Sequence, residues 1–291
     1  MHHRTRSEKI FDGINILALL ILAFVTLYPF LYTLTMSLST PVDAKLPGLH
    51  LFPMRPTLES YEKVFAQSGI AQAFLNTALR TVGGVALVLL FTSLSAYPLS
   101  RKSFPHRSLI MKLYVFSMLF SGGLIPMYLL IRNLGLLNSM WALLLPGAVS
   151  AFNLIIMRNF FQAIPEEIMD SSKIDGAGEL RTFTSIVLPL SLPVLAVVAL
   201  WSGVSHWNAW FDAMIYIHDM DKQVLQLFVR RTVIEESDAL ATQAELLHAT
   251  TYSKETLKAA TVMIATLPIL CVYPFIQRFF VKGIMLGSVK G

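Results

Sequence analysis

The chain has 291 residues, of which 55% are apolar and only 14% charged, with a formal charge of +5. Soluble domains carry about 25% charged residues, so a deficit over the whole length excludes an ordinary soluble enzyme and indicates an integral membrane protein. Basic residues are scattered rather than grouped, so the footprint of a nucleic-acid binder is missing. The single cysteine, Cys271, excludes a disulfide framework or a cysteine-rich metal site.

About 20 mostly apolar residues cross a hydrocarbon core roughly 30 Å thick. Six segments meet that need, near 14–38, 72–99, 109–131, 140–161, 189–215 and 258–281. They predict an all-α, six-helix integral membrane protein forming a single transmembrane domain over 1–291. The basic start "MHHRTRSEK" precedes an apolar run too long for a signal-peptide core of about 7–15 residues, so 14–38 reads as an uncleaved first span. With the amino terminus inside, the short inner segments hold Arg101, Lys102, Arg107, Lys173 and Arg181, while the short outer loop at 132–139 holds Arg132. That bias places both termini in the cytoplasm. Arg80, Lys112, Arg158, Asp212 and Arg278 lie towards span ends, where long basic side chains reach the interface.

Every span contains or abuts a proline: Pro29, Pro98, Pro126, Pro146, Pro189 with Pro193, and Pro268 with Pro274. Membrane helices tolerate interior proline because neighbouring helices and hydroxyl groups satisfy the freed carbonyls. Such prolines serve either as packing kinks or as joints between two arrangements of the bundle. "SGGLIP" at 121–126 marks a bendable point in the third span. The outer segments 40–71 and 216–257 are long, and loops of such length are commonly functional or disordered.

The segment 162–188 is a polar interruption. Pro165 starts a helix, and Glu166 and Glu167 meet the positive end of its dipole. Ile164, Ile168 and Met169 give it a modest apolar face. Asp175-Gly176 stops it. A second short helix is expected over 178–186, with Leu180, Phe183 and Val187 on one side. Helices this short are unstable alone in water, so the pair must pack against something.

"IPEEIMDSSKIDGA", followed by "IVLPLSLP", resembles the EAA signature of permease subunits of type I ABC importers. Asp175, Gly176, Ala177, Ile186, Leu188, Pro189 and Pro193 match it, and Asp170, Ser171 and Ser172 stand at the name-giving triplet. "SGGLIPMYLLIRNLGLLNSMWALLLPGAVSAFNLIIMRNFF" and "FVKGIMLGSVKG" extend the likeness to the carbohydrate branch of that family. The resemblance implies a MetI-like permease fold in a bacterial inner membrane. It implies that Ile168, Met169, Asp170, Ser171, Ser172, Asp175, Gly176 and Ala177 form a cytoplasmic coupling helix docked on an ATPase. The implied partners are a second, different permease, two ATP-binding subunits and an extracytoplasmic solute-binding protein. The implied cargo is an oligosaccharide, alginate or another acidic sugar included. No cofactor is expected in this chain, since ATP and Mg belong to the ATPase subunits.

"HWNAWFD" towards the end of the fifth span has two readings. It is an aromatic belt at the membrane interface, or a gate at which Trp207 and Trp210 stack on sugar while His206, Asn208 and Asp212 bond hydroxyls. His206 and Arg80 would further suit a carboxylated sugar. Asn153, like Asn76, Ser117 and Ser121, serves either as an interhelical bond or as path lining. There is no phosphate-binding Gly-x-x-x-x-Gly-Lys-Ser/Thr loop and no His-Glu-x-x-His zinc motif. The alternatives are an ion-coupled secondary transporter, which would need charged residues at span centres, and a membrane enzyme acting on lipid-linked substrates, which would need a titratable cluster.

Overall fold

The computed structural model describes residues 6–66, 69–235 and 254–288 and divides into two compact units. The described residues are helical, joined by turns and one isolated bridge between Ser39 and Pro56.

The first unit comprises 1–68 and 229–267. Its helix α1, Arg6–Ser37, is strongly apolar and, except near its end at Met36, leaves its apolar side chains largely exposed on all faces. Only lipid or another subunit can cover such a surface. Pro29 lies inside α1, and Thr33 Oγ1 donates to the Pro29 carbonyl at 2.8 Å. After α1 the chain folds back through a loop held by Asp43. Its carboxylate accepts from Arg55 at 2.7 and 3.1 Å and from Thr40 Oγ1 at 2.8 Å. The Arg55 guanidinium beside it holds the Asp43 carboxyl below its ordinary range. The short helix α2, Glu59–Ala66, follows and buries Ser60 and Val64.

The second unit comprises 69–228 and 268–291. Its centre is α3, Ile70–Ser100. Ala73, Asn76, Thr77, Arg80, Gly84, Val88, Thr92 and Ala96 recur every three or four residues and are buried. Leu75, Leu79, Val82, Leu90 and Leu94 are exposed. Small and polar side chains thus face the protein while leucine and valine face outward, the pattern of a helix solvated by lipid. The buried stripe packs on α7, Ala151–Gln162, and on α10, Leu192–Asn208.

The remaining helices are broken. Helices α4, Arg107–Leu119, and α5, Leu124–Asn133, meet at 113°. The joint falls at the paired glycines, where Gly123 has φ +86°, a conformation that favours glycine. The continuous helix expected over 140–161 is not formed. It is replaced by α6, Met140–Leu144, and α7, separated around Pro146 and Gly147. Leu145 keeps helical angles, but Pro146 has no N–H to give to the preceding turn, so the helical ladder stops there. Helix α8 covers Glu166–Ile174, and α9, Glu179–Leu190, meets α10 at 78°. Beyond α10 lie α11, Phe211–Tyr216, and α12, Leu225–Arg230.

Helix α13, Lys254–Ser288, contains Pro268 and Pro274 and supplies residues to both units. Among the described residues, three helices are long and apolar enough to cross a membrane, or up to five if each bent pair is one span. The expected six is therefore not met by this measure, because the 140–161 span is interrupted. Of the outer segment 216–257, residues 236–253 lie outside the described residues, as do the side chains of the terminal "FVKGIMLGSVKG".

Candidate functional site

The polar interruption forms an elbow. Helix α8 ends in a closed cap: the Ala177 N–H donates to the Ser172 carbonyl at 2.9 Å, and the Gly176 N–H to that of Lys173 at 3.0 Å. This double bond pattern requires a left-handed residue, and Gly176 supplies it with φ +75°. The eight residues of the expected coupling set then divide by direction. Met169 and Ser172 point inward and are buried. Met169 joins the core of Val88, Tyr97, Met157 and Phe183, and its sulfur accepts from Arg101 at 3.0 Å. Ser172 Oγ meets Thr182 Oγ1 at 3.1 Å, tying α8 to α9.

Ile168, Asp170, Ser171, Asp175 and Gly176 are exposed, and Ala177 is half-buried. Exposed beside them are Ile174, at 85%, and Leu180, at 72%. Leu180 does not share the buried face of Phe183 and Val187, contrary to the sequence expectation. Two apolar side chains at the tip of a polar elbow form a surface suited to a partner, and neither belonged to the expected coupling set. Further tethers are Lys102 to Glu166 at 3.0 Å and the Tyr97 hydroxyl, which donates to Glu179 at 2.6 Å. Lys102 holds the Glu166 carboxyl below its ordinary value.

A cavity of about 610 Å³ lies elsewhere in the same unit, among α3, α7, α10 and the broken stretches beside them. Pro146 and Gly147, between α6 and α7, line it, as does Ala209, between α10 and α11. Irregular backbone is tolerated at membrane depth where it is buried or borders a cavity. Ser150 caps α7 by accepting the Asn153 N–H at 3.4 Å. Arg80 serves the other break. Its guanidinium donates to the Ala209 carbonyl at 3.1 Å and forms an ion pair with Asp212. Asp212 also accepts the Ala213 N–H at 2.8 Å. A charge this deep requires such a partner.

Arg80 is 2% exposed, so it does not reach the interface as its position near a span end suggested. His206 is buried against Gly84, so closely that a Cβ there would lie 2.4 Å from Nε2. Only glycine permits α3 and α10 to approach in this way.

The structure gathers three of the six expected path residues, Asn153, His206 and Asp212, around this cavity. It sends the others elsewhere. Trp207 stacks edge-on against Phe74 at 5.7 Å, Asn208 Nδ2 donates back to the Val204 carbonyl, and Trp210 packs against Phe211. Ser150, Ser202, Ser205, Phe152 and Trp201 also line the cavity, and Phe152 and Trp201 are paired at 5.6 Å. The serines gave no separate sequence signal, although their place beside Pro146 and on α10 is readable afterwards. Hydroxyls, an amide, an imidazole and an aromatic wall are the chemistry that recognises a sugar. Of the other in-span polar groups, Asn76 donates to the carbonyls of Asp221 and Gln223 at 2.8 and 2.9 Å, and Ser117 bonds within its own helix.

Residues 88–286 match the family described as "Binding-protein-dependent transport system inner membrane component". The chain is 43% identical to Protein LplC of Bacillus subtilis (strain 168), covering 99% of this chain and 98% of that one. It is 41% identical to the polygalacturonan/rhamnogalacturonan transport system permease protein YtcP of the same organism, covering 98% and 99%. A chain in the crystal structure of a bacterial ABC transporter involved in the import of the acidic polysaccharide alginate superposes with a TM-score of 0.89. That chain is 31% identical, with 96% of this chain and 100% of that one covered. The chain therefore belongs to the binding-protein-dependent transport family and is the membrane-spanning permease subunit of a sugar-importing ABC transporter.

Proposed function

We propose that the chain, acting as one permease domain over 1–291, imports acidic oligosaccharides of the polyuronate class. The observation that carries this reading is the near full-length similarity to a polygalacturonan permease and to a chain of an alginate importer. Both are named for polymers of carboxylated sugars. The cavity of the second unit supports it by supplying hydroxyl donors and an aromatic wall to the sugar ring. In this reading Asn153, His206, Ser202 and Ser205 bond the cargo beside the Arg80–Asp212 ion pair.

In the same proposal the elbow faces the cytoplasm, both termini lie on that side, and Ile168, Ile174, Leu180, Asp170, Ser171, Asp175 and Gly176 contact an ATP-binding subunit. Two such subunits, a second permease and an extracytoplasmic solute-binding protein complete the transporter. Motion of α8 has two routes into the bundle. One is the end of α3, through Arg101 and Lys102, and the other is α9, through the Ser172–Thr182 pair. Helix α9 leads past Pro189 to the bend and then along α10 to His206. ATP and cargo must bind the two arrangements with different affinity, since nothing else shifts their populations.

Uptake of labelled oligogalacturonate into vesicles carrying the whole transporter tests the cargo. Excess unlabelled oligogalacturonate is expected to abolish uptake, while its carboxyl-reduced, neutral counterpart leaves most of it. Equal competition by both would end the acidic-sugar reading.

A further inference from the structure

At the end of the second unit that carries α8, a cleft of about 390 Å³ opens between α4 and α7. It is lined by Arg107, Ser108, Met111, Lys112, Val115 and Arg158. Three cations line it and no carboxylate does. The acids with bonds nearby are engaged elsewhere: Glu166 pairs with Lys102, and Glu179 accepts from Tyr97. Glu167, Asp170 and Asp175 lie exposed on the elbow. Arg158 donates to the Leu99 carbonyl at 3.1 Å and to Asn159 at 3.0 Å. Among the described residues Arg107 bonds only the Arg101 carbonyl, at a long 3.4 Å. Among the described residues Lys112 has no hydrogen bond or ion pair, and Arg107 and Arg158 repel one another. Two guanidinium groups lining one cleft suit an anion that both can reach, since charge-assisted bonds of this kind are strong.

The rest of the lining says what kind of anion. Met111 and Val115 are apolar, and along the same helix Leu109, Leu113 and Phe116 are 58%, 60% and 56% exposed. The site is therefore cationic at one end and continues into an uncovered apolar surface. A free phosphate would satisfy the first part and leave the second bare. We propose that this cleft binds an anionic phospholipid, its phosphodiester on Arg107, Lys112 and Arg158 and an acyl chain along Met111 and Val115. Basic pockets between membrane helices favour headgroups of this charge. The site adjoins the end of α3 at Leu99 and at Arg101, the residue that also holds Met169, so a bound lipid would brace the helix end on which α8 rests.

The assembled transporter in detergent is titrated with phosphatidylglycerol and, separately, with phosphatidylcholine, and bound lipid is counted by native mass spectrometry. Phosphatidylglycerol is expected to be retained and phosphatidylcholine lost. Lys112→Gln, at an exposed side chain, lowers phosphatidylglycerol affinity about fivefold, and adding Arg107→Gln lowers it by about the same factor again. The charge-conserving pair Arg107→Lys with Lys112→Arg restores it, which separates charge from folding. Arg132→Gln, a cation outside the cleft, changes nothing. Unchanged phosphatidylglycerol affinity in both glutamine variants would overturn the site. Displacement of the lipid by inorganic phosphate alone would make it a phosphate site instead. Loss of ATP-binding subunits with lipid affinity intact would make it a protein contact.

Discussion

At the cavity, polar groups close on one another inside the protein: Arg80 is held by Asp212 and Ala209, and His206 is wedged against Gly84. At the elbow the reverse holds. Two side chains of the motif, Met169 and Ser172, anchor it, while Ile174 and Leu180 stand bare beside five exposed members of the motif. Both regions interrupt an apolar chain, yet the first pairs its charges within the subunit, with Arg80 Nε alone of that guanidinium left unbonded, and the second does not. Internally paired charge in lipid marks a site that the bundle itself must shape. Unfinished polarity with exposed apolar tips marks a site finished by another chain.

That contrast predicts unequal responses to substitution. Asp212→Asn strands a buried guanidinium and should cost about 3 kcal/mol of stability, read as a lower melting temperature in detergent. Removing both charges, with Arg80→Met and Asp212→Leu, should recover much of the loss. An unaltered melting temperature in the single variant would mean that Arg80 does not depend on Asp212.

Gly84→Ala forces its Cβ into the His206 ring and should cost about 2 kcal/mol, as overpacking does. Combining it with His206→Ala should cost less than the two changes summed, since the clash is then gone. Strict additivity would show that the two helices do not meet there.

Gly176→Ala must hold φ +75° with a side chain and should cost about 1 kcal/mol locally. The bundle would insert normally, and the visible effect would be weaker stimulation of ATP hydrolysis by cargo. Normal coupling in this variant would detach the cap from transport.

Smallest of all is Lys102→Ala. The Lys102–Glu166 pair is exposed on both sides, so its loss should leave the melting temperature at neutral pH unchanged within error. The sign of its pH dependence follows from the lowered Glu166 pKa. Whatever the pair contributes is complete above the ordinary carboxylate pKa and fades as acidification passes through the lowered one. A clear stability loss at pH 7 would contradict the view of the elbow as loosely tethered.

The elbow was legible because turn chemistry is local. Pro165, Asp175 and Gly176 specify a start and a stop within a dozen residues, and the structure puts the cap where they do. The bend at Gly122 and Gly123 was legible for the same reason. The interior of the bundle was less so. Hydropathy treats Arg80 as a residue near a span end, whereas its partner lies 132 positions away, and no local pattern encodes that distance. Pro146 was visible as a proline but not as a full interruption, because a flanking apolar run masks how short α6 is. Trp207 and Trp210 looked equivalent in the sequence to the cavity residues around them. Helical rotation, together with the break at Ala209, turned them to other neighbours.

Helix α9 contains a widened turn over Phe183–Val187. Each residue of an α-helix advances the azimuth by about 100°, and a widened turn accommodates one residue more than the regular winding would. Deleting one residue there, Ser185 for instance, would restore ordinary winding and leave Glu179–Thr182 and Pro189 facing as they do now. A deletion in the regularly wound turns on either side would instead rotate Thr182 about 100° away from Ser172 and re-aim the α8 tip. The widened turn is thus a place between the elbow and Pro189 where the residue count has slack, and a one-residue deletion should be better tolerated at Ser185 than at Thr182.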